Sequence, residues 1–307
     1  MTSITDTLFF LAQQTSQPAS APVLQKFPQS ALMQFFQNSL ISLGICALLL
    51  WVACRLLTPH KFWLRDTPGR PNRLGVAEVA MLYAALVLLG SAAAYVAKTL
   101  IGWYAPHLAN TDMHMVIGAA ISQPILIFLV LLVAHYTFRH GIRSGLGLNT
   151  RHWLCDTARG IFGVLAIYPV CMVLYWLSVN YLVPPALQST QPMLTMAHGQ
   201  AIGVGWKILI VVVAVLIGPV FEELFFRGIL QSTFRSVLRS PWAAIILTSL
   251  IFAPLHFIGP GFKGAQNILP LFALSLALGY NYERCGRLWP SILIHMLFNA
   301  VNIAAVL

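Results

Sequence analysis

The sequence predicts an all-α, polytopic membrane protein of about eight transmembrane helices around a polar intramembrane cavity. Three observations predict it. Of 307 residues, 58% are hydrophobic and only 8% are charged, whereas a soluble domain is about half apolar and about a quarter charged. The apolar residues gather in runs near the roughly 20 residues that cross a bilayer as a helix. Basic residues crowd into every second connection between those runs, as the positive-inside bias of membrane proteins requires.

Residues 1–38 are polar and rich in Gln, Ser, Thr and Pro, and are expected to form a flexible or surface-lying tail. They lack the basic region, apolar run and cleavage site of a secretory signal. Runs at 39–57, 76–97, 115–137 and 161–182 predict an N-terminal four-helix membrane region over 39–182. Runs at 205–230, 242–258, 266–281 and 289–306 predict a C-terminal membrane core over 205–306, its third run short for a crossing.

Arg55, Lys61, Arg65, Arg70 and Arg73 lie at or after the end of the first run, and Arg139, Arg143, Arg151 and Arg159 separate the third from the fourth. Arg235 and Arg239 follow the fifth, and Arg284 and Arg287 separate the last two. The alternate connections hold only Lys98, Lys207 and Lys263. This alternation assigns 58–75, 138–160 and 282–288 to the cytoplasm and both termini to the other side of the cell (inner) membrane. It also accounts for the formal charge of +10, so no nucleic-acid partner is needed to explain it. The five cysteines show no CxxC spacing and three fall in apolar runs, which fits small buried hydrophobes rather than zinc ligands or disulfides.

Charged groups inside a bilayer are costly, so each is a candidate for function. The stretch GPVFEELFFRGIL at 218–230 carries Glu222, Glu223 and Arg227; IFAPLHF carries His256; ILIHMLFNA carries His295 and Asn299. Glu223 and Arg227 are four apart and can pair on one helix face, while Glu222 is turned by about 100° toward another. His295 and Asn299 share a stripe in the same way. Phe252, one turn before His256, can wall its imidazole, and the breaker IGPGF at 258–262 ends that span. Helical rise puts Glu222 about 20 Å from Arg235 and His256 about 22 Å from Pro241, but His295 only about 10 Å from Trp289. Convergence therefore needs tilted helices or a deeper start for the Glu222 helix.

Two carboxylates, two imidazoles and an amide in one buried space suit hydrolysis. A carboxylate accepts a proton from water, a histidine positions that water or serves the leaving group, and a second His with Asn donates to an oxyanion. Glu222, His256 and His295 are also the right types for a single zinc ion with an open fourth position, although HExxH is absent. A structural reading competes, because a Glu–Arg pair can tie helices together and Asn commonly bonds across them. Three polar motifs on three nearby spans favour function over coincidence. A transporter would use carboxylates as a proton relay, yet the N-terminal half does not repeat the glutamate motif.

EELFFR, FAPLH and HMLFN match, in order, the EExxxR, FxxxH and HxxxN patterns of the CAAX-protease and bacteriocin-processing (CPBP, or Abi) family of intramembrane proteases. Over roughly 205–305 the chain resembles that family and is similar to its type II CAAX prenyl endopeptidases. The resemblance implies an eight-helix-like fold with a conical cavity open to lipid and cytosol. It implies a bilayer-embedded endopeptidase acting on a peptide or lipid-modified protein substrate. It further implies that Glu222 and His256 activate water, that His295 and Asn299 hold the oxyanion, and that Glu223 with Arg227 supports them. The family's frequent naming as metalloproteases leaves the cofactor between none and a single zinc. Its immunity-linked members supply the alternative, a non-proteolytic immunity or scaffold protein that binds a partner in the same cavity.

Overall fold

A computed structural model describes residues 31–64, 67, 72–104, 113–149, 151–189, 203–256 and 263–305, and among these there are helices but no β-strand. Eight helices of 15 residues or more follow in chain order among the described residues. They are α1 (Ala31–Leu57), α2 (Val76–Tyr104), α3 (Met113–Thr137), α4 (Trp153–Leu177), α5 (Val204–Leu238), α6 (Pro241–Leu255), α7 (Ile268–Cys285) and α8 (Trp289–Ala304). The protein is all-α and polytopic.

α1 to α5 are long and apolar enough to cross a membrane. α6, α7 and α8, at 15, 18 and 16 residues, rise about 22, 27 and 24 Å, which is short of a hydrocarbon core of about 30 Å. α1 begins at Ala31 rather than at 39, because Leu32, Phe35 and Phe36 extend its exposed apolar surface back into the expected tail. Residues 1–30, Arg65, Arg70 and the breaker at 258–262 lie outside the described residues.

α2 packs on α3, while α1, α7 and α8 all pack on α4, and α6 packs on α7. Glycine sets the closest approach of α1 to α4. A Cβ at Gly44 would lie 2.5 Å from the Leu165 carbonyl oxygen and 2.8 Å from the Pro169 ring.

The connections that the sequence marks as basic meet at one end of the molecule. The Arg73 N–H donates to Thr137 O at 3.0 Å, and Asn72 Nδ2 donates to Ser232 Oγ and Thr233 Oγ1 at 2.7 and 2.8 Å. Arg235 Nη2 donates to Thr67 O, Trp242 Nε1 to Phe62 O, and the Leu288 N–H to Gly147 O. Asp156, buried at the start of α4, accepts from Arg287 through Nε and Nη2 and from Arg159 through Nη1. The hydrogen bonds to Asp156 raise the Arg287 pKa above its already high value, so the clasp between α4 and the α7–α8 connection stays charged. These ties segregate the basic loops on one face, as the alternation along the chain requires.

Candidate active site

α5 is not a uniform α-helix. Val212–Ile217 and Leu224–Gln231 are π-helical and flank the α-helical Gly218–Glu223; such wide turns recur at functional sites. In the first π segment the Gly218 N–H reaches back five residues to Val213 O. The next bond of that register would run from residue 219 to Ala214 O, but Pro219 has no N–H to give. Asn299 Nδ2, on α8, donates to Ala214 O at 2.8 Å instead. A buried carbonyl is seldom left unpaired, so the proline on α5 explains the asparagine on α8. One of the two amide hydrogens of Asn299 is thereby spent.

The second π segment carries the arginine. Glu223 Oε1 accepts from Arg227 Nη1 at 2.9 Å and from His295 Nδ1 at 2.8 Å, and the Glu223 and Arg227 side chains are completely buried. Arg227 Nη2 also donates to Ser275 Oγ at 2.9 Å and to Ser275 O at 3.3 Å. Its guanidinium stands 4.6 Å from the centre of the Phe252 ring. One carboxylate–guanidinium pair thus joins α5, α6, α7 and α8. Removing one member would leave the other charge buried alone, at a cost of about 3–5 kcal/mol.

Glu222 points elsewhere. Its Oε2 lies 3.5 Å from His256 Nε2 and 3.8 Å from His295 Nε2. His256 Nδ1 lies 2.8 Å from Phe252 O; a carbonyl only accepts, so this nitrogen carries a proton. His295 Nδ1 faces a carboxylate already held by Arg227, so it donates as well. Both rings are pinned at Nδ1 and turn Nε2 toward Glu222. The Phe252 ring walls His256 at 4.5 Å between centroids. At 3.5 and 3.8 Å these contacts are long for hydrogen bonds, and the three polar atoms converge on one point. All three side chains are 5% exposed or less.

This donor set has the chemistry of a zinc site. Even so, among the described residues no group of three or more His, Cys, Asp or Glu side chains is disposed to hold a metal ion.

The depth mismatch is resolved by α8 rather than by α5. A Cβ on Gly228 would lie 2.7 Å from Leu146 Cδ2 and 3.8 Å from Leu288 Cδ1, so the start of α8 stands level with Gly228, inside the helix bundle. Gly228 is about 9 Å below Glu222 along α5, and Leu288 is about 10 Å below His295 along α8. The 141–149 segment folds in beneath them, with Leu146 and Leu288 fully buried.

Sequence reasoning passed over four polar residues that the fold buries near this centre or beside it. Gln231 Nε2 donates to Gly279 O and to Glu283 Oε1. Ser275 holds Arg227, and Asp156 holds Arg287. Gln123 of α3 is fully buried with neither amide atom paired, and its amide lies 3.8–3.9 Å from the point where a Cβ on Gly218 would stand. That glycine is one turn before Glu222. The Ser-Gln-Pro triplet at 122–124, polar inside an apolar run, is the signal that could have exposed Gln123.

Residues 204–301, from the start of α5 into the last turn of α8, match the family model described as type II CAAX prenyl endopeptidase, Rce1-like. No curated protein and no solved structure matches the chain.

Proposed function

Because residues 204–301 of this multi-pass membrane protein match the type II CAAX prenyl endopeptidase family model, we propose that it is an intramembrane endopeptidase whose water is activated by Glu222 and His256. Its substrate class is a hydrophobic or lipid-modified peptide. The observation that carries this reading is the pair of inward-turned acceptors, Glu222 Oε2 and His256 Nε2, held 3.5 Å apart in a buried site. A water seated beside the pair turns its hydrogens toward them and keeps a lone pair for the scissile carbonyl.

As the water oxygen bonds to the carbonyl carbon, Glu222 takes its proton and the carbonyl oxygen becomes an oxyanion. Collapse breaks the C–N bond, and the proton passes to the departing amine. General acid–base help of this kind contributes roughly 10²–10⁴-fold. His295 and Asn299 serve the oxyanion: Asn299 through the amide hydrogen not spent on Ala214, His295 through Nε2 when both its nitrogens carry hydrogen. Glu223 and Arg227 fix the orientation of His295. In this reading the basic face is cytoplasmic and both termini lie on the opposite side of the inner membrane; labelling of Arg143→Cys from outside intact cells would contradict it.

The test is cleavage of a membrane-peptide library by purified wild type and Glu222→Gln, with products identified by mass spectrometry. Wild type should yield discrete products, and Glu222→Gln should yield none while keeping its fold and its peptide binding. Zinc held by Glu222, His256 and His295 is the competing scheme. About one zinc per chain that tracks activity, lost with Glu222→Gln, would replace the proposed mechanism. Peptide binding without any product from wild type would favour the immunity or scaffold role instead.

A further inference from the structure

α1 and α7 both pack against α4, and between them lies a groove of about 280 Å³. One turn before Leu48, α1 comes close to α4, where a Cβ on Gly44 would meet the Leu165 carbonyl and the Pro169 ring. From there the groove's walls, including Leu48, Ala166, Ala273 and Leu276, run to Trp51 and Tyr280 beside the basic connections. Asn281, which also lines it, donates one amide hydrogen to Ala277 O. A peptide in hydrocarbon needs a partner for each N–H and C=O group, and walls that are aliphatic but for Asn281 do not supply them. The occupant that fits is an alkyl chain.

The mouth is aromatic and cationic. Trp51 and Tyr280 meet edge to face at 5.7 Å, and Trp242 lies 5.9 Å from Tyr280, a belt of the kind that sits at headgroup level. Arg55 stands one turn beyond Trp51 on α1 and Arg284 one turn beyond Tyr280 on α7, so both continue the faces that line the groove. Both are close enough to act electrostatically on Tyr280, and Arg55 also hydrogen-bonds to it. Nε and Nη1 of Arg55 are buried without a hydrogen-bond partner. The acidic neighbour on α7, Glu283, is engaged by Gln231 and Arg235 instead. Phosphate is the acceptor whose geometry matches a guanidinium.

We infer that this groove binds an anionic glycerophospholipid, with one acyl chain along α4 and its phosphate between Arg55 and Arg284. The inference is independent of the proteolytic reading. The full chain is reconstituted in vesicles of equal phosphatidylglycerol and phosphatidylcholine, extracted in mild detergent and weighed by native mass spectrometry. Wild type should retain one phosphatidylglycerol, favoured over phosphatidylcholine on the order of thirtyfold, the worth of two basic residues beside a lipid phosphate. Arg55→Gln with Arg284→Gln should bring that ratio close to one. Ala277→Phe, which fills the groove, should lower retention of both lipids. Equal retention by wild type overturns the inference whether or not the variants fold, as does a preference that survives loss of both arginines. Displacement of the lipid by a prenylated peptide would also overturn it, assigning the groove to substrate.

Discussion

In the apolar windows of α1 to α4 between 11% and 39% of residues are buried within the protein, whereas in α5 the share is 61%. α5 carries the charges. A helix that presents Leu88, Leu89 or Phe128 to its surroundings needs no protein cover, because lipid tails solvate them as well as neighbouring side chains would. A helix that carries Glu222, Glu223 and Arg227 is surrounded by α3, α6, α7 and α8, because an ion facing hydrocarbon is costly. Burial in this protein therefore follows polar content rather than hydrophobicity, the reverse of a soluble fold.

The sharpest way to break the contrast is Arg227→Met. It leaves Glu223 buried without its arginine counter-charge, and should cost about 3–5 kcal/mol in detergent unfolding; a loss below about 1 kcal/mol would mean that the pair does not organise the core. Gly44→Val tests the other region, where close packing rather than charge sets the constraint. The added side chain meets backbone and a proline ring, so a loss of about 1–3 kcal/mol is expected, and an unchanged midpoint would show that α1 docks loosely. Gln123→Leu should move the other way. It removes an amide buried without partners, and a gain of about 1 kcal/mol is expected; a loss would mean that the amide holds part of the site together. Leu88→Ala, at a residue 69% exposed, should change stability by about 0.5 kcal/mol or less, and a larger drop would reveal a partner on that face.

Much of this was legible in the chain. The eight helices, the basic alternation and the six polar residues of the three motifs all follow from composition and spacing, because hydrophobic runs and i, i+4 stripes are local properties. Helix ends were less legible. α1 runs eight residues further back than its apolar run suggests (39 to 31), since flanking Gln and Asn residues dilute the run without breaking the helix. The depth estimate for His295 misled for a related reason. Sequence shows where a run begins, and not that α8 begins inside the bundle above a folded-in loop.

The sequence by itself determined that Glu223 and Arg227 can share a face, that Glu222 is turned away from them, and that His256 follows Phe252 by one turn. Only the tertiary structure decided that Glu223, not Glu222, takes His295 Nδ1, and that Asn299 meets the Ala214 carbonyl stranded by Pro219. These partners are separated by 72 and 85 residues. Helical periodicity orders neighbours along one helix, but which faces of two helices meet depends on every side chain and connection between them. The geometry of the candidate site is therefore a property of the packed core, although each of its residues was visible in the chain.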